Sequence, residues 1–139
     1  MLLNAVDAED AVQDACVRAW RRRANRRADT DLRPWFLGIV ANRCREAMRS
    51  PWWKVVGLAN VAGHSPVTPE DPASALDLRQ AVAQLPYRRR LVIVLRYYLD
   101  LPYEEVAGAA GCSVDAAKAL VRRATADLER SLSIVEANE

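Results

Sequence analysis

Arginine is the residue with the clearest chemical use in this sequence, and most of the arginines lie in one part of the chain. Residues 18–49 contain ten arginines and three acidic residues, whereas residues 1–17 contain four acidic residues and no basic one. The planar guanidinium group pairs with phosphates and with guanine edges. An arginine-rich block beside an acidic helix therefore indicates a polyanion-binding surface next to a separate protein-docking surface. The plain alternative is a solvated arginine-rich face without a ligand.

Residues suited to enzymatic chemistry are few and scattered. His64 is the only histidine, and Cys16, Cys44 and Cys112 lie far apart in the sequence. Without a second imidazole or a paired thiol, a histidine-based metal site, a nucleophilic triad or a disulfide framework is hard to build. We therefore predict no enzymatic activity, no cofactor and no metal, with the three cysteines as small buried residues and His64 as a solvated residue.

The composition is that of a globular protein. Hydrophobic residues make up 51% and charged residues 27% of the 139-residue chain, which excludes wholesale disorder. The longest uninterrupted apolar run, residues 91–95, is far shorter than the about 20 residues that a membrane-spanning helix needs. A secretory signal begins with a basic segment before an apolar stretch, and the first residues of this chain contain no such basic segment. We predict a cytoplasmic protein that does not associate with a membrane.

The apolar residues recur with helical spacing along almost the whole chain. The predicted helices span about residues 6–22, 32–49, 72–85, 87–99, 103–110 and 113–132. Residues 50–71 contain three prolines and two glycines without a sustained period, which indicates a linker. The predicted fold class is all-α, with two small helical lobes, residues 1–49 and 72–132, joined by the flexible linker 50–71 and followed by a tail, 133–139.

The first helix has an apolar side and an acidic side. Its predicted buried stripe consists of Ala5, Ala8, Val12, Ala15, Cys16 and Ala19. Asp7, Asp10 and Asp14 fall on the opposite side, which we expect to face water.

The most specific local pattern is that of a helix-turn-helix over residues 101–130. A small residue, Ala107, precedes Gly111 by four positions, and Ser113 follows as an N-cap. Glycine permits the positive φ that a short turn needs, and serine satisfies exposed backbone N–H groups. Away from its apolar stripe, the second helix presents side chains that can enter the DNA major groove. A helical hairpin without a ligand is the alternative.

With both lobes considered together, the chain resembles the bacterial extracytoplasmic-function sigma factors. The segments that carry the resemblance are Asp7–Asp14 with Arg18-Ala19-Trp20, Leu32–Arg43, Leu85–Tyr98 and Tyr103–Ala107. The first two segments are similar to the second conserved region of the family and the last two to its fourth region. The resemblance covers about residues 7–49 and 76–130.

This resemblance implies a protein that binds core RNA polymerase and directs it to promoters. The residues that match the polymerase-docking helix are Asp7, Asp10, Gln13 and Asp14. Those that match the part opening and reading the −10 promoter element are Arg26, Arg27, Arg33, Asn42, Arg43 and Arg45. Those that match the reader of the −35 element are Ser113, Asp115, Ala116, Lys118, Arg122 and Arg123. An anti-sigma factor is a further partner that the resemblance implies.

Two departures from the family pattern leave other functions open. Only six residues precede Asp7, where family members have a further helix, so we expect the first lobe to lack that helix. Leu120 stands where a polar residue is usual, and we expect it to be exposed. The alternatives are a stand-alone helix-turn-helix regulator that binds DNA without polymerase, and a degenerate sigma-like protein that titrates an anti-sigma factor.

Overall fold

The computed structural model describes residues 5–49 and 72–137, and within them the chain is helical without a strand. The predicted linker 50–71, with His64, lies outside the described residues. The six α-helices are α1 (Ala5–Arg22), α2 (Leu32–Arg49), α3 (Pro72–Gln84), α4 (Tyr87–Ile93), α5 (Tyr103–Ala110) and α6 (Val114–Ala137). A single 3₁₀ turn, Arg23–Asn25, extends α1 into the loop before α2.

The described part of the first lobe is a pair of packed helices, α1 and α2. Ala11 and Ala15 are buried on α1, and Ile39 and Cys44 are buried on α2. Alanine at the contact lets the two helix backbones approach closely.

The predicted stripe on α1 is partly wrong. Val12 and Cys16 are exposed, and the buried face is rotated toward Ala11 and Ala15. Among the described helices α1 packs mainly on α2, so side chains off that one face stay in solvent. The prediction for the cysteines is confirmed for Cys44 only, because Cys112 is half-buried and Cys16 is exposed.

The second lobe is built around α4, α5 and α6. Its core consists of Leu91, Val92, Leu95, Leu101, Val106, Ala107, Ala117 and Val121. The helix predicted over 87–99 is regular only to Ile93, and a π-helical turn, Val94–Tyr98, follows it. Asp100 then adopts a left-handed backbone conformation, and the Leu101 N–H donates to the Leu95 carbonyl over 3.1 Å. This arrangement ends the helix and turns the chain into α5.

The predicted helix-turn-helix is present between α5 and α6. Ala107 is buried, and Gly111 has the left-handed backbone, with φ of 70°, that the tight turn requires. The Ser113 hydroxyl accepts a hydrogen bond from the Ala116 N–H over 3.1 Å, which is an N-cap contact. The last helix continues to Ala137, past the predicted end at residue 132, because no proline or glycine interrupts it.

The two lobes pack against each other through α2 and α5. Ala41 is part of the same buried cluster as the core of the second lobe, and the partly buried Leu37 packs against that cluster. Within the described residues, no helix combines the length and apolar character needed to cross a membrane.

Candidate polymerase-docking and DNA-binding surfaces

The acidic side of α1 carries the four residues predicted to dock on polymerase. Asp10 and Gln13 are exposed, whereas Asp7 and Asp14 are half-buried. Asp10 forms no ion pair within the part of the chain that the structure describes. The helix therefore presents an amide and a free carboxylate to solvent, the groups that a basic partner surface would bind.

Asp14 differs from its neighbours because two arginines hold its carboxylate. Its Oδ2 atom lies 3.0 Å from Arg18 Nε and accepts a hydrogen bond from Arg43 Nε over 2.7 Å. Arg43 comes from α2, so this carboxylate ties the two helices of the first lobe together. A residue predicted to contact polymerase is thus paired with one predicted to contact DNA.

Arg18 extends this pairing into a network of four charged residues. Its two terminal nitrogens donate to the two carboxylate oxygens of Glu46 over 3.0 and 2.9 Å. The hydrogen bonds from Arg18 lower the pKa of Glu46, and the same contact raises the pKa of Arg18. We call Asp14, Arg18, Arg43 and Glu46 the ion-pair network. Because these side chains are partly solvated, the network orients them more than it stabilises the fold.

A basic cleft lies beside the network, between the ends of α1 and α2. It encloses about 220 Å³ and is lined by Arg18, Arg22, Ile39, Asn42, Arg45, Glu46 and Arg49. Asn42 and Arg45 were predicted as DNA contacts, and both are exposed. Arg22 and Arg49 are not among the residues predicted from the sequence to contact DNA. The signal for them was the four-residue spacing of Arg18 and Arg22 on α1 and of Arg45 and Arg49 on α2, which places each pair on one helix face.

The three arginines predicted as DNA contacts in and after the basic loop, Arg26, Arg27 and Arg33, differ in their exposure and in their partners. Arg26 donates to the Thr30 carbonyl over 2.6 Å and shapes the loop. Arg27 is exposed and forms no ion pair within the described residues. Arg33 forms a two-pronged hydrogen bond with Glu105 of the second lobe, which raises the pKa of the Arg33 guanidinium. The structure therefore does not bring these arginines into one site.

The start of α6 carries the predicted −35 reading residues on its solvent side. Asp115, Lys118, Arg122 and Arg123 are exposed, and Ala116 is half-buried. The Ser113 hydroxyl is engaged in its N-cap contact. The Lys118 ammonium lies 5.7 Å from the centre of the Tyr103 ring, which also packs under Arg96 at 4.6 Å. Tyr103 thus contacts one of the cations predicted to read DNA, and this contact was not predicted from the sequence.

The prediction for Leu120 is wrong. This side chain is half-buried and packs against the core of the second lobe. The reason is that the first turns of α6 lie on α5, so that positions 117, 120 and 121 share the inward face. An exposed Leu120 was one reason to consider a degenerate sigma-like protein that titrates an anti-sigma factor, and that reason no longer holds.

The charged groups described above are dispersed over both lobes. Among residues 5–49 and 72–137, no group of three or more histidine, cysteine or acidic side chains is placed to hold a metal ion. The described surface includes an acidic face on α1, a basic cleft between α1 and α2, and exposed basic side chains near the start of α6.

Comparison with protein-family models shows two matches in the order of the two lobes. The model described as "Sigma-70 region 2" matches residues 1–54, and the model described as "Sigma-70, region 4" matches residues 75–128.

Individual relatives agree with the family models. The RNA polymerase sigma-E factor of Streptomyces coelicolor is 31% identical over 139 residues, covering 93% of this chain and 73% of that protein. The ECF RNA polymerase sigma factor SigG of Mycobacterium tuberculosis is 28% identical over 152 aligned residues, covering 88% of this chain. The chain spans only 41% of the length of SigG.

A solved structure is similar over both lobes. The sigma factor RpoE, in its co-crystal structure with the anti-sigma factor NepR from Bartonella quintana, has a TM-score of 0.65 and 26% identity. The match covers 91% of this chain and 81% of that one. This structural match, the order of the two regions and the identity to the Streptomyces protein show that the chain belongs to the extracytoplasmic-function family of RNA polymerase sigma factors.

Proposed function

We propose that the protein binds core RNA polymerase and directs it to promoters, with the first lobe acting at the −10 element and the second at the −35 element. The observation that carries this proposal is the presence of both family regions, in order, with oppositely charged faces. Such a protein acts in the cytoplasm, where polymerase and chromosome are.

The described surfaces support different roles for the two lobes: polymerase docking and capture of an unpaired base by the first, and binding of duplex DNA by the second. The exposed face of α1 offers Asp10 and Gln13 to polymerase. This face is acidic, whereas the cleft between α1 and α2 is basic. The cleft holds the Asn42 amide among arginine side chains, which suits capture of an unpaired base together with its phosphate. The start of α6 offers Lys118 and Arg122 to duplex phosphates and base edges.

A run-off transcription assay tests the proposal. Core polymerase with this protein and fragments of the host chromosome should give transcripts with defined start sites, whereas either component alone should give none. The Asp10→Ala, Gln13→Ala double variant should lose affinity for core polymerase and keep its helical content, because both side chains are exposed. If the wild-type protein neither binds core polymerase nor directs initiation, the proposal fails.

The reading helix is tested by the salt dependence of promoter binding by the holoenzyme. Replacing Arg122 by alanine should weaken binding and lower the slope of log affinity against log salt by about one, the loss of one phosphate contact. Arg130, an exposed arginine near the other end of α6, is the matched control and should leave the slope unchanged. Equal slopes for wild type and Arg122→Ala would show that α6 does not contact DNA there.

We also propose that an anti-sigma factor binds this protein. The support is the similarity, over both lobes, to an RpoE chain solved in complex with the anti-sigma factor NepR. Co-purification of a host protein that also blocks the run-off reaction would test this second proposal.

A further inference from the structure

We infer that the free protein associates with a second copy of itself through the outer face of α1, and that this dimer hides the face predicted to dock on polymerase. The occupant of the outer face is a second α1 helix, lying antiparallel to the first. The exposure and the charges of α1 support the dimer, and only its regulatory consequence rests on the proposed function.

An apolar patch covers the side of α1 that faces away from α2. Its members are exposed side chains that fall on one side of the helix, Val12, Cys16, Val17 and Trp20. Trp20 is 67% exposed, although the guanidinium of Arg23 lies over its ring at 3.9 Å. Among the described residues α1 packs mainly on α2, on the opposite side, and the patch stays in solvent. Contiguous exposed apolar side chains are a mark of protein contact sites.

The charges along α1 indicate which surface covers the patch. The helix has Asp7 in its first turn and Arg21 and Arg22 in its last turn. Asp10 and Arg21 flank the patch on the same side, because they are separated by about three helical turns, or about 16 Å along the axis. Both are exposed, and neither forms an ion pair within the part of the chain that the structure describes. A covering surface must therefore carry a basic group opposite the first and an acidic group opposite the second.

A second copy of α1 in the antiparallel direction has this order of charges. A two-fold axis between the helices sets the same flank of both copies side by side, with the start of one against the end of the other. Asp10 of each copy then lies near Arg21 of the other, and the two apolar patches meet between these pairs. A parallel arrangement would instead set like charges opposite each other.

The contact between two α1 helices is small, so the dimer is weak. An α-helix of 18 residues is about 27 Å long. A contact along one pair of such helices falls at the low end of interface sizes, near or below about 1,200 Å². We therefore expect a dissociation constant of about 10–100 μM. Self-association then responds to changes in protein concentration over that range.

The dimer withdraws two of the predicted polymerase-docking residues. Gln13 lies among the four apolar side chains of the patch, and Asp10 borders it. In the antiparallel pair Gln13 is covered by the other copy, and Asp10 is paired with Arg21. A molecule in the dimer therefore cannot present these groups to core polymerase. The dimer is a stored form, and core polymerase draws monomers from it by mass action.

Sedimentation equilibrium of the free protein tests self-association. Dithiothreitol keeps the exposed Cys16 reduced, so that no intermolecular disulfide contributes. We expect the average mass to rise from that of one chain toward that of two as the concentration increases from about 1 to about 500 μM. Trp20→Ser should raise the dissociation constant by about tenfold, because it removes the largest apolar side chain of the patch. Ile134→Ser removes an exposed apolar side chain from α6 and should leave the dissociation constant unchanged.

A charge exchange tests the antiparallel order of the two helices. Asp10→Arg and Arg21→Asp should each weaken self-association, because each variant places like charges together at both ends of the contact. An equimolar mixture of the two variants should associate as the wild type does, since the mixed pair again has one acid and one base at each end. Both positions are exposed, so circular dichroism should show the helical content of the wild type in both variants.

Three results would overturn the dimer. The wild-type mass could stay at that of one chain at every concentration, Trp20→Ser and Ile134→Ser could behave alike, or the mixture of charge variants could associate as poorly as its components. A monomeric wild type whose Trp20→Ser variant loses affinity for core polymerase would show that polymerase, and not a second copy, covers the patch.

Competition with polymerase tests the regulatory consequence. Energy transfer between donor-labelled and acceptor-labelled copies should fall as core polymerase is added, because docking and self-association use the same face. Energy transfer that stays constant while core polymerase binds would show that the two surfaces differ, and would overturn the stored form. A protein that dimerises but does not bind core polymerase would overturn the proposed function and leave the dimer in place.

Discussion

At the scale of single residues, the most informative side chain is Asp14. Its carboxylate was predicted to face polymerase, and in the folded lobe it also holds Arg43, a predicted DNA contact, at 2.7 Å. A basic group of polymerase that took this carboxylate would release Arg43 toward DNA. The ion-pair network thus offers a route by which docking on one face of the lobe strengthens binding on another.

Substitution of Asp14 tests this release. Asp14→Asn removes the charge that holds Arg43, so the free protein should bind single-stranded promoter DNA more tightly, with a salt slope steeper by about one contact. Asp10→Asn removes the same charge from the same helix without breaking an ion pair, and serves as the control. Binding isotherms at several salt concentrations provide the measurement. Equal behaviour of the two variants would show that net charge alone, and not the pairing, limits DNA binding.

At the scale of elements, the turn between α5 and α6 decides how the reading helix is presented. Gly111 has a φ of 70°, and nothing lies within 4 Å of the position that a side chain would take. The requirement for glycine is therefore one of backbone conformation and not of space. Ser113 then fixes the first turn of α6 through its contact with the Ala116 N–H.

Two substitutions at this glycine separate conformation from bulk. Gly111→Ala should destabilise the protein by about 1–2 kcal/mol, because an alanine in the left-handed region carries that cost. Gly111→Asn adds a larger side chain but should cost less, since asparagine tolerates this conformation better. Urea unfolding of both variants measures the difference. If asparagine were the more damaging replacement, crowding in the turn and not backbone strain would be the cause.

At the scale of the whole molecule, pH should act on the contact between the lobes. Burial raises the pKa of the Tyr87 phenol well above its ordinary value of 10.0, and burial also raises the pKa of Cys44, whose thiol lies near Tyr87. Arg45 and Arg90 are the cations near this phenol. Both shifts favour the neutral groups while the two lobes are packed together. Their stabilising contribution is therefore complete at neutral pH and is lost as the pH rises past the ordinary values of the two groups.

Alkaline pH should accordingly open the protein. The distance between fluorophores placed on the two lobes should increase as the pH rises above about 10, the value past which a solvated phenol ionises while the buried Tyr87 phenol does not. The Tyr87 hydroxyl donates a hydrogen bond to the Ala41 carbonyl across the contact between the lobes, over 2.6 Å. The Tyr87→Phe variant cannot ionise and should flatten the pH dependence, at the cost of this hydrogen bond. Cys44→Ala removes the contribution of the thiol and isolates that of Tyr87. A distance that rises equally in the Tyr87→Phe variant would exclude the phenol as the cause.

Sequence periodicity alone was sufficient to identify the helices and their order. The bounds of α2 and the turn chemistry of Gly111 and Ser113 follow from local rules, because helix ends depend on residues a few positions away. The arginine block and the acidic helix likewise indicated a protein that binds both a polyanion and a partner protein. These features can be predicted without knowing which residues distant in the sequence come together in the folded protein.

Only the tertiary structure decided which faces meet. The packing of one helix on another decides four features: the exposure of Cys16, the inward position of Leu120, the pairing of Asp14 with Arg43 and the close approach of Gly108 to Pro34. A Cβ atom at Gly108 would lie 3.2 Å from the Cβ atom of Pro34. A helical stripe shows that one side of a helix is apolar, but it does not name the partner helix or rule out a second one. Contacts between residues more than 60 positions apart, such as that of Arg33 with Glu105, are set by the packing of whole elements and leave no trace in the local pattern.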